Sequence, residues 1–414
     1  MRKIIASLDI GSDLIKLVVG EITKSKFNIL LAINSESQGI KNGFIVNQES
    51  FNEVIVDLFK QANEMLGLRV RKVIVNVPIF NAKYEMVEGT TTITNEEYVI
   101  NANDIVRSMQ SAVYNKVPDN MEMINVIPVM FKVNGEILTR EPLGIGAEKL
   151  SSKCVLVTAP KKGIEPIIKV LEKNNIEVID LAFSSFGDYE ELHKDYENDL
   201  VGAIVNIGAD TTEVSIFNKG IISSSEVINM GSSNIDKDLS YMFKISLPDA
   251  KVVKEKLATC HTRMAQPNEF IDVETLEEQT IRLNQYEVSE VVMERVKEIF
   301  NLVKKQINLL TKKEISYIII TGGLTEATDF ETLMEESFGQ KARIGDVTEI
   351  GARCNIYSSS VGLIKFYYRK LKLRNKEFSI FTLGEQEQFS GLGQRKGISE
   401  HSILGKVFGI FFDK

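Results

Sequence analysis

Little in this chain points to metal, redox or histidine chemistry. It has three cysteines and three histidines among 414 residues. Cys154, Cys260 and Cys354 stand alone and are odd in number, which argues against a disulfide framework and leaves no CxxC metal site. No histidine falls in an HExxH or similar ligand spacing, so neither a zinc enzyme nor a histidine-base enzyme is indicated. Apolar runs stop short of the roughly 18 residues a membrane span needs. The opening MRKIIASLDI begins like a secretion signal, but Asp9 interrupts it, and the expected compartment is the cytoplasm. Basic charge is also in short supply: 49 Lys and Arg against 57 Asp and Glu leave a net charge of −8, which disfavours nucleic acid as a partner.

What the chain does have is a repeat. LDIGSDLIKLVVGE (8–21) and VNIGADTTEVSIF (205–217) lie about 200 residues apart and share one pattern. Each is an apolar strand, an acid or amide, a glycine and hydroxyl tip, and a second apolar strand. Unpaired N–H groups at such a tip form an anion-binding concavity, and two tips facing across a cleft suit a polyphosphate. A third segment, YIIITGGLTE (317–326), is a buried-type strand running into Gly322-Gly323, where backbone can approach a ligand closely. The chain is too long for one core. Its pattern predicts two similar α/β halves, with a helix over 49–66 closed by Gly67 and another over 287–310. Between about 81 and 160 a Thr-rich strand (84–94), a short helix (103–114) capped by Asn103, and two further strands (122–133, 153–158) predict a small inserted α+β subdomain. Residues 265–283 read as a polar, acid-containing connection.

After Lys376 the composition turns to Gly, Gln, Ser and charge, which reads as a linker over 377–400. Then SILGKVFGIFFDK follows. At 100° per residue, Leu404, Val407, Phe408, Phe411 and Phe412 share one face, opposite Lys406 and Asp413. The stretch is too short to span a bilayer and reads as an interfacial membrane helix. Upstream, Lys365, Arg369, Lys370, Lys372, Arg374 and Lys376 form a basic run read as attracted to anionic lipid.

The order hairpin, hairpin, strand-GG resembles the actin-like ATPase superfamily. Within it the chain is similar to the FtsA family, bacterial cell-division relatives of actin, in MINVIPVMFKVNGE (123–136), PLGIGAEKL (142–150), VINMGSSNIDKDLS (227–240) and the Phe-rich tail. The resemblance implies an actin-like α/β fold: a first half over 1–81, 160–198 and 361–376, an inserted subdomain over 82–159, and a second half over 199–360 with its small subdomain at 228–312. It implies ATP and Mg²⁺ in the central cleft. Asp9, Gly11, Ser12 and Lys16 match the first phosphate motif, with Asp9 holding Mg²⁺ through water. Asn206, Gly208, Thr211 and Thr212 belong to the second, Lys254 and Glu255 to the ribose and base contacts, and Gly322 and Gly323 to the adenosine motif, with Gly231 as a further nucleotide-binding residue.

The resemblance further implies a membrane-tethered scaffold at the cytoplasmic face of the division septum. Its partners would be other copies of itself, lipids through the 401–414 helix, other divisome proteins and the C-terminal peptide of FtsZ. Arg295, Lys304 and Lys305 on one long helix are the candidate peptide contacts. Two departures bear on activity. Asn206 stands where the family motif has Asp, and Ser184 stands where many relatives have Glu, so water activation is thinned and slow or absent hydrolysis is expected. The rival readings are a type IV pilus assembly ATPase-like protein, or a sugar kinase or chaperone ATPase of the same superfamily.

Overall fold

The computed structural model describes residues 2–23, 26–382, 385 and 386. The first half opens with β1 (Lys3–Ile10), β2 (Leu14–Thr23) and β3 (Lys26–Glu36), an antiparallel meander. Two short strands, β4 (Ile40–Lys41) and β5 (Phe44–Ile45), lead to α1 (Gln48–Leu66). The Asn47 side chain caps α1 by accepting from the N–H groups of Glu49 and Ser50, and Gly67 ends it at a left-handed φ of 68°. Its stripe Phe51, Val54, Ile55, Leu58, Phe59, Ala62 and Leu66 is the buried face. β6 (Lys72–Asn76) then pairs parallel to β1.

The chain next makes a separate four-stranded sheet of β7 (Lys83–Thr92), β8 (Met121–Val133), β9 (Ile137–Thr139) and β10 (Lys149–Pro160), in the order β7-β10-β8-β9, with α2 (Ala102–Val113) on it. Its core, including Val87, Ile105, Phe131 and Leu150, is its own. The helix begins one residue earlier than Asn103. Asn101 is its cap, accepting from Asn103 and Asp104 N–H while the Asp104 carboxylate reaches back to Asn101 N–H. α3 (Lys161–Lys173) and β11 (Glu177–Ala182) return to the first sheet, whose order is β11-β6-β1-β2-β3.

α4 (Ser184–Leu192) leads to the second sheet, built of β12 (Val201–Ile207), β13 (Thr212–Asn218) and β14 (Ile221–Ile228). Then come α5 (Ser232–Phe243), α6 (Leu247–Leu257), β15 (Phe270–Glu274), β16 (Thr280–Asn284) and the long α7 (Gln285–Leu310). The β15–β16 hairpin occupies the stretch read as a polar connection; Ile271, Val273, Ile281 and Leu283 alternate with polar residues and turn toward the second core, a two-residue-period signal that the polar reading passed over. β17 (Tyr317–Thr321), α8 (Phe330–Phe338) and β18 (Ala342–Ile344) complete a sheet ordered β14-β13-β12-β17-β18. Both large sheets therefore share one topology: an antiparallel meander whose first strand gains a parallel neighbour, which gains another. The sequence repeat is a repeat of structure.

α9 (Ser358–Leu373) packs against α4. Part of the stretch read as linker also belongs to the fold. Ile380 N–H donates to the Ile4 carbonyl at 2.8 Å, and Ile380 and Phe381 are buried beside β1 and α1, because two apolar residues find an open edge of the first core. Half of the basic run is paired with acids from distant segments. Lys365 bridges Glu191 (2.8 Å) and Glu349 (2.6 Å), Arg369 meets Glu190 (2.7 Å), and Lys370 meets Asp180 (2.6 Å). Lys372, Arg374 and Lys376 remain exposed.

Candidate functional site: the cleft between the halves

The tip between β1 and β2 closes through Gly11 N–H to the Leu14 carbonyl at 3.1 Å. Asp9 and Lys16 are directly opposed in that hairpin, so their side chains share a face, and Lys16 Nζ lies 2.8 Å from Asp9 Oδ2. The other Asp9 oxygen accepts from Asn76 Nδ2 at 2.6 Å; Asn76 in turn accepts from Ile10 N–H and donates to Ser184 Oγ at 3.0 Å. Ser12 Oγ accepts from Gly43 N–H at 3.2 Å.

The tip between β12 and β13 closes in the same way, through Gly208 N–H to the Thr211 carbonyl at 2.9 Å. β17 runs parallel to β12 and delivers Gly322-Gly323 beside it. All three segments line one cleft: Asp9, Gly11, Ser12 and Lys16 on one wall, Asn206, Gly208 and Thr211 on the other, with Gly322 and Gly323 at the side. Gly322 has φ +100°, and a Cβ there would lie 2.8 Å from Asn206 Oδ1. A Cβ on Gly323 would meet only Ile356, at 3.7 Å.

Four expected residues are not on the cleft wall. Thr212 follows Thr211 on a strand and so points to the opposite face, where its hydroxyl donates to the Met230 carbonyl at 2.8 Å. Gly231 is a close-packing glycine whose Cβ would strike the Ala209 and Gly208 carbonyls. Lys254 is held by Asp236 at 2.7 Å, and Glu255 is exposed. One turn earlier on α6, Lys251 reaches across the cleft mouth to Asp13 at 2.8 Å. A second tie joins Asn42 N–H to Asp210 Oδ2 at 3.1 Å. Neither tie has a local sequence signature.

Two carboxyls behind the tips also escaped the sequence reading. Asp188 on α4 is fully buried and accepts from Ser358 Oγ (2.6 Å), Ser359 Oγ (2.8 Å) and Asn206 Nδ2 (2.8 Å). Burial pushes its pKa up to about 6 against those hydrogen bonds. Glu213 lines the cleft, and its Oε2 is enclosed without a hydrogen-bond partner. Burial, then the nearby Asp188 and Asp9 charges, raise it to about 8. Among the described residues no cluster of three or more His, Cys, Asp or Glu is arranged to hold a metal ion.

The three candidate peptide contacts do not form one patch. Arg295 turns toward α5, gripping Asp238 at 2.6 and 2.8 Å, and also meets Glu298. Lys304, nine residues on and so half a turn out of phase, stacks over Phe338 of α8 at 5.1 Å from the ring centroid. Lys305 is exposed. The tail residues Leu404, Val407, Phe408, Phe411 and Phe412 lie outside the described residues.

Residues 203–362 match the family described as "Cell division protein FtsA", and residues 81–158 match the "SHS2 domain inserted in FTSA". The chain belongs to the FtsA family. Family proteins named "Cell division protein FtsA" are similar along nearly the whole length. That of Bacillus subtilis (strain 168) is 27% identical over 91% of this chain and 86% of its own. That of Pseudomonas aeruginosa is 26% identical over 89% and 90%. Solved structures share the actin-like fold at low identity. MreB5 of Spiroplasma citri bound to ADP has a TM-score of 0.56 at 12% identity, covering 90% of this chain and 99% of that one. The PilM-PilN type IV pilus biogenesis complex gives 0.59 at 12%, covering 87% and 98%. Among the described residues no helix is long and apolar enough to cross a membrane.

Proposed function

We propose that this cell-division protein binds ATP with Mg²⁺ in the cleft, polymerises, and anchors FtsZ filaments to the membrane through residues 401–414. The observation that carries the nucleotide reading is the convergence of two glycine-tipped hairpins and Gly322-Gly323 on one cleft. The hairpin tips and their hydroxyls would hold the phosphates, Gly323 leaves room for the adenosine, and Asp9 would meet the cation through water while Lys16 balances charge. MreB5 of the same fold was solved with ADP and with AMPPNP. Asn206 can accept a hydrogen bond from water but cannot take its proton, so turnover should fall well below the roughly 10 s⁻¹ of a typical enzyme.

Membrane attachment rests on the Phe-rich face of the tail, with Lys372, Arg374 and Lys376 as the exposed upstream cations. The test is co-sedimentation of the purified chain with anionic vesicles, with and without ATP·Mg²⁺ and FtsZ. Recruitment of FtsZ to vesicles only when the chain is present supports the anchor; FtsZ left in the supernatant refutes it. Calorimetric titration with ATP·Mg²⁺ tests the cleft separately.

A further inference from the structure

The cleft holds an amide at its back wall and a carboxylate behind that amide. Asp188 is fully buried and cannot touch a ligand. An ionised carboxylate only accepts hydrogen bonds, so it must face the nitrogen of Asn206, and Nδ2 does lie 2.8 Å from Oδ2. The same nitrogen also donates to Ser359 Oγ at 3.3 Å, which uses the second amide hydrogen. Ser358 and Ser359 hydroxyls, both from α9, saturate Asp188 Oδ1. The amide is thereby locked, and its carbonyl oxygen is the atom left toward Gly322 and the cleft.

We propose that Asp188 is a positioning residue that presents the Asn206 carbonyl oxygen to the nucleotide site and keeps the negative charge one side chain behind the wall. This rests on the ATP reading of the cleft. Hydrolysis needs a water oxygen to bond to the γ-phosphorus while the bond to the bridging oxygen breaks. That electron pair leaves on the β-phosphate, and the water proton passes to a base. At position 206 the cleft offers a neutral acceptor, which orients the water and leaves its proton in place.

The test is an exchange of the two groups in the full chain: Asn206→Asp, Asp188→Asn, and both together. The double variant keeps an amide–carboxylate hydrogen bond with the partners reversed and turns the carboxylate into the cleft. Single-turnover ATP hydrolysis with Mg²⁺ should be at least tenfold faster in the double variant than in the wild type. Asn206→Asp alone should not reach that rate, because two touching carboxylates hold a proton between them. Melting midpoints without nucleotide should fall in each single variant and recover in the double one. The positioning role is overturned if the midpoint of the double variant is no higher than those of the singles, or if Asn206→Asp alone is as fast and as stable. A stable double variant that hydrolyses no faster overturns the placement of charge as the cause of slow turnover. If the wild type shows no ATP binding by calorimetry, the ATP reading fails, and the melting comparison still decides whether Asp188 positions Asn206.

Discussion

Gly187 of α4 and Gly362 of α9 meet backbone to backbone: a Cβ built on Gly362 would run into the Gly187 carbonyl. α4 lies between the last strand visited in the first sheet and the first strand of the second, and α9 follows the end of the second sheet. Both sheets therefore depend on this crossing for their relative placement. The flanking Val361, Leu363 and Ile364 have no exposure, so neither helix can retreat from an added methyl. Gly362→Ala should destabilise the chain by about 1–3 kcal/mol or more, the usual cost of overpacking. The denaturation midpoint measures this; an unchanged midpoint would show that the helices can part.

Glu213 gives the protein a pH dependence with a definite sign. Its folded pKa of about 8 lies above the ordinary 4.5, so the native state holds a proton that the unfolded chain has released. The relative stability it contributes is complete below about 4.5 and is lost as pH rises to about 8. Asp188 and Glu191, raised to about 6 and about 7, act in the same direction at lower pH. Of these three, Glu213 is raised furthest and contributes most between 7 and 8. Melting midpoints of the wild type should fall across that interval, and those of Glu213→Gln should fall less. Parallel curves would remove Glu213 as the source.

The two cleft glycines should respond differently to substitution. Gly322→Val combines a positive φ with collision against the Ile207 carbonyl and Asn206, so it should impair folding before it affects any ligand. Gly323→Val meets only Ile356 and should fold. It narrows the side of the cleft assigned to adenosine and should weaken ATP binding at least tenfold by calorimetry. Unchanged affinity would move the adenosine elsewhere.

Local pattern carried much of this fold. The helix read over 49–66 and closed by Gly67 is α1, and the glycine tips marked both hairpins. What escaped was set by partners distant in sequence. Six basic residues on α9 and just after it looked free, yet the acids that neutralise three of them come from β11, α4 and the loop before α9. Lys251 and Lys254 are equally plausible on α6. Only the opposing tip at Asp13 selects the first for the cleft mouth, and Asp236 withdraws the second. Asp188 sits in an unremarkable helix and gains its meaning from Asn206, 18 residues on.

Arg295 illustrates the same lesson for the partner surface. Its bidentate grip on Asp238 ties α7 to α5, so Arg295→Glu places two acids together and should lower stability. Pairing it with Asp238→Arg should restore the midpoint, while Lys305→Glu should leave it within about 0.5 kcal/mol, as for most exposed sites. If an acidic FtsZ peptide docks near α7, Lys305→Glu should weaken it and reduce its salt dependence. Titration at two salt concentrations decides; equal affinity at both would place the dock away from Lys305.

The tail yields the prediction on which the anchoring role depends. Residues after Glu400 include five apolar side chains, Leu404, Val407, Phe408, Phe411 and Phe412, which a helical spacing of 100° per residue would gather on one face. Two contacts near the end of the described chain, Ile380 on Ile4 and Glu385 on Arg71 at 3.0 Å, tie it to the first half. Removing everything after Glu400 leaves those contacts intact, so the melting midpoint should not move. Binding to anionic vesicles should be lost. Phe408→Glu with Phe411→Glu should have the same effect without shortening the chain, because it sets two charges on the face that would enter the lipid. Co-sedimentation of the three proteins with vesicles, beside their melting curves, separates the outcomes. Loss of binding at constant midpoint supports the tail as the anchor. Binding retained by the truncated chain would transfer that role to the folded body, where Lys372, Arg374 and Lys376 are the exposed cations to mutate next.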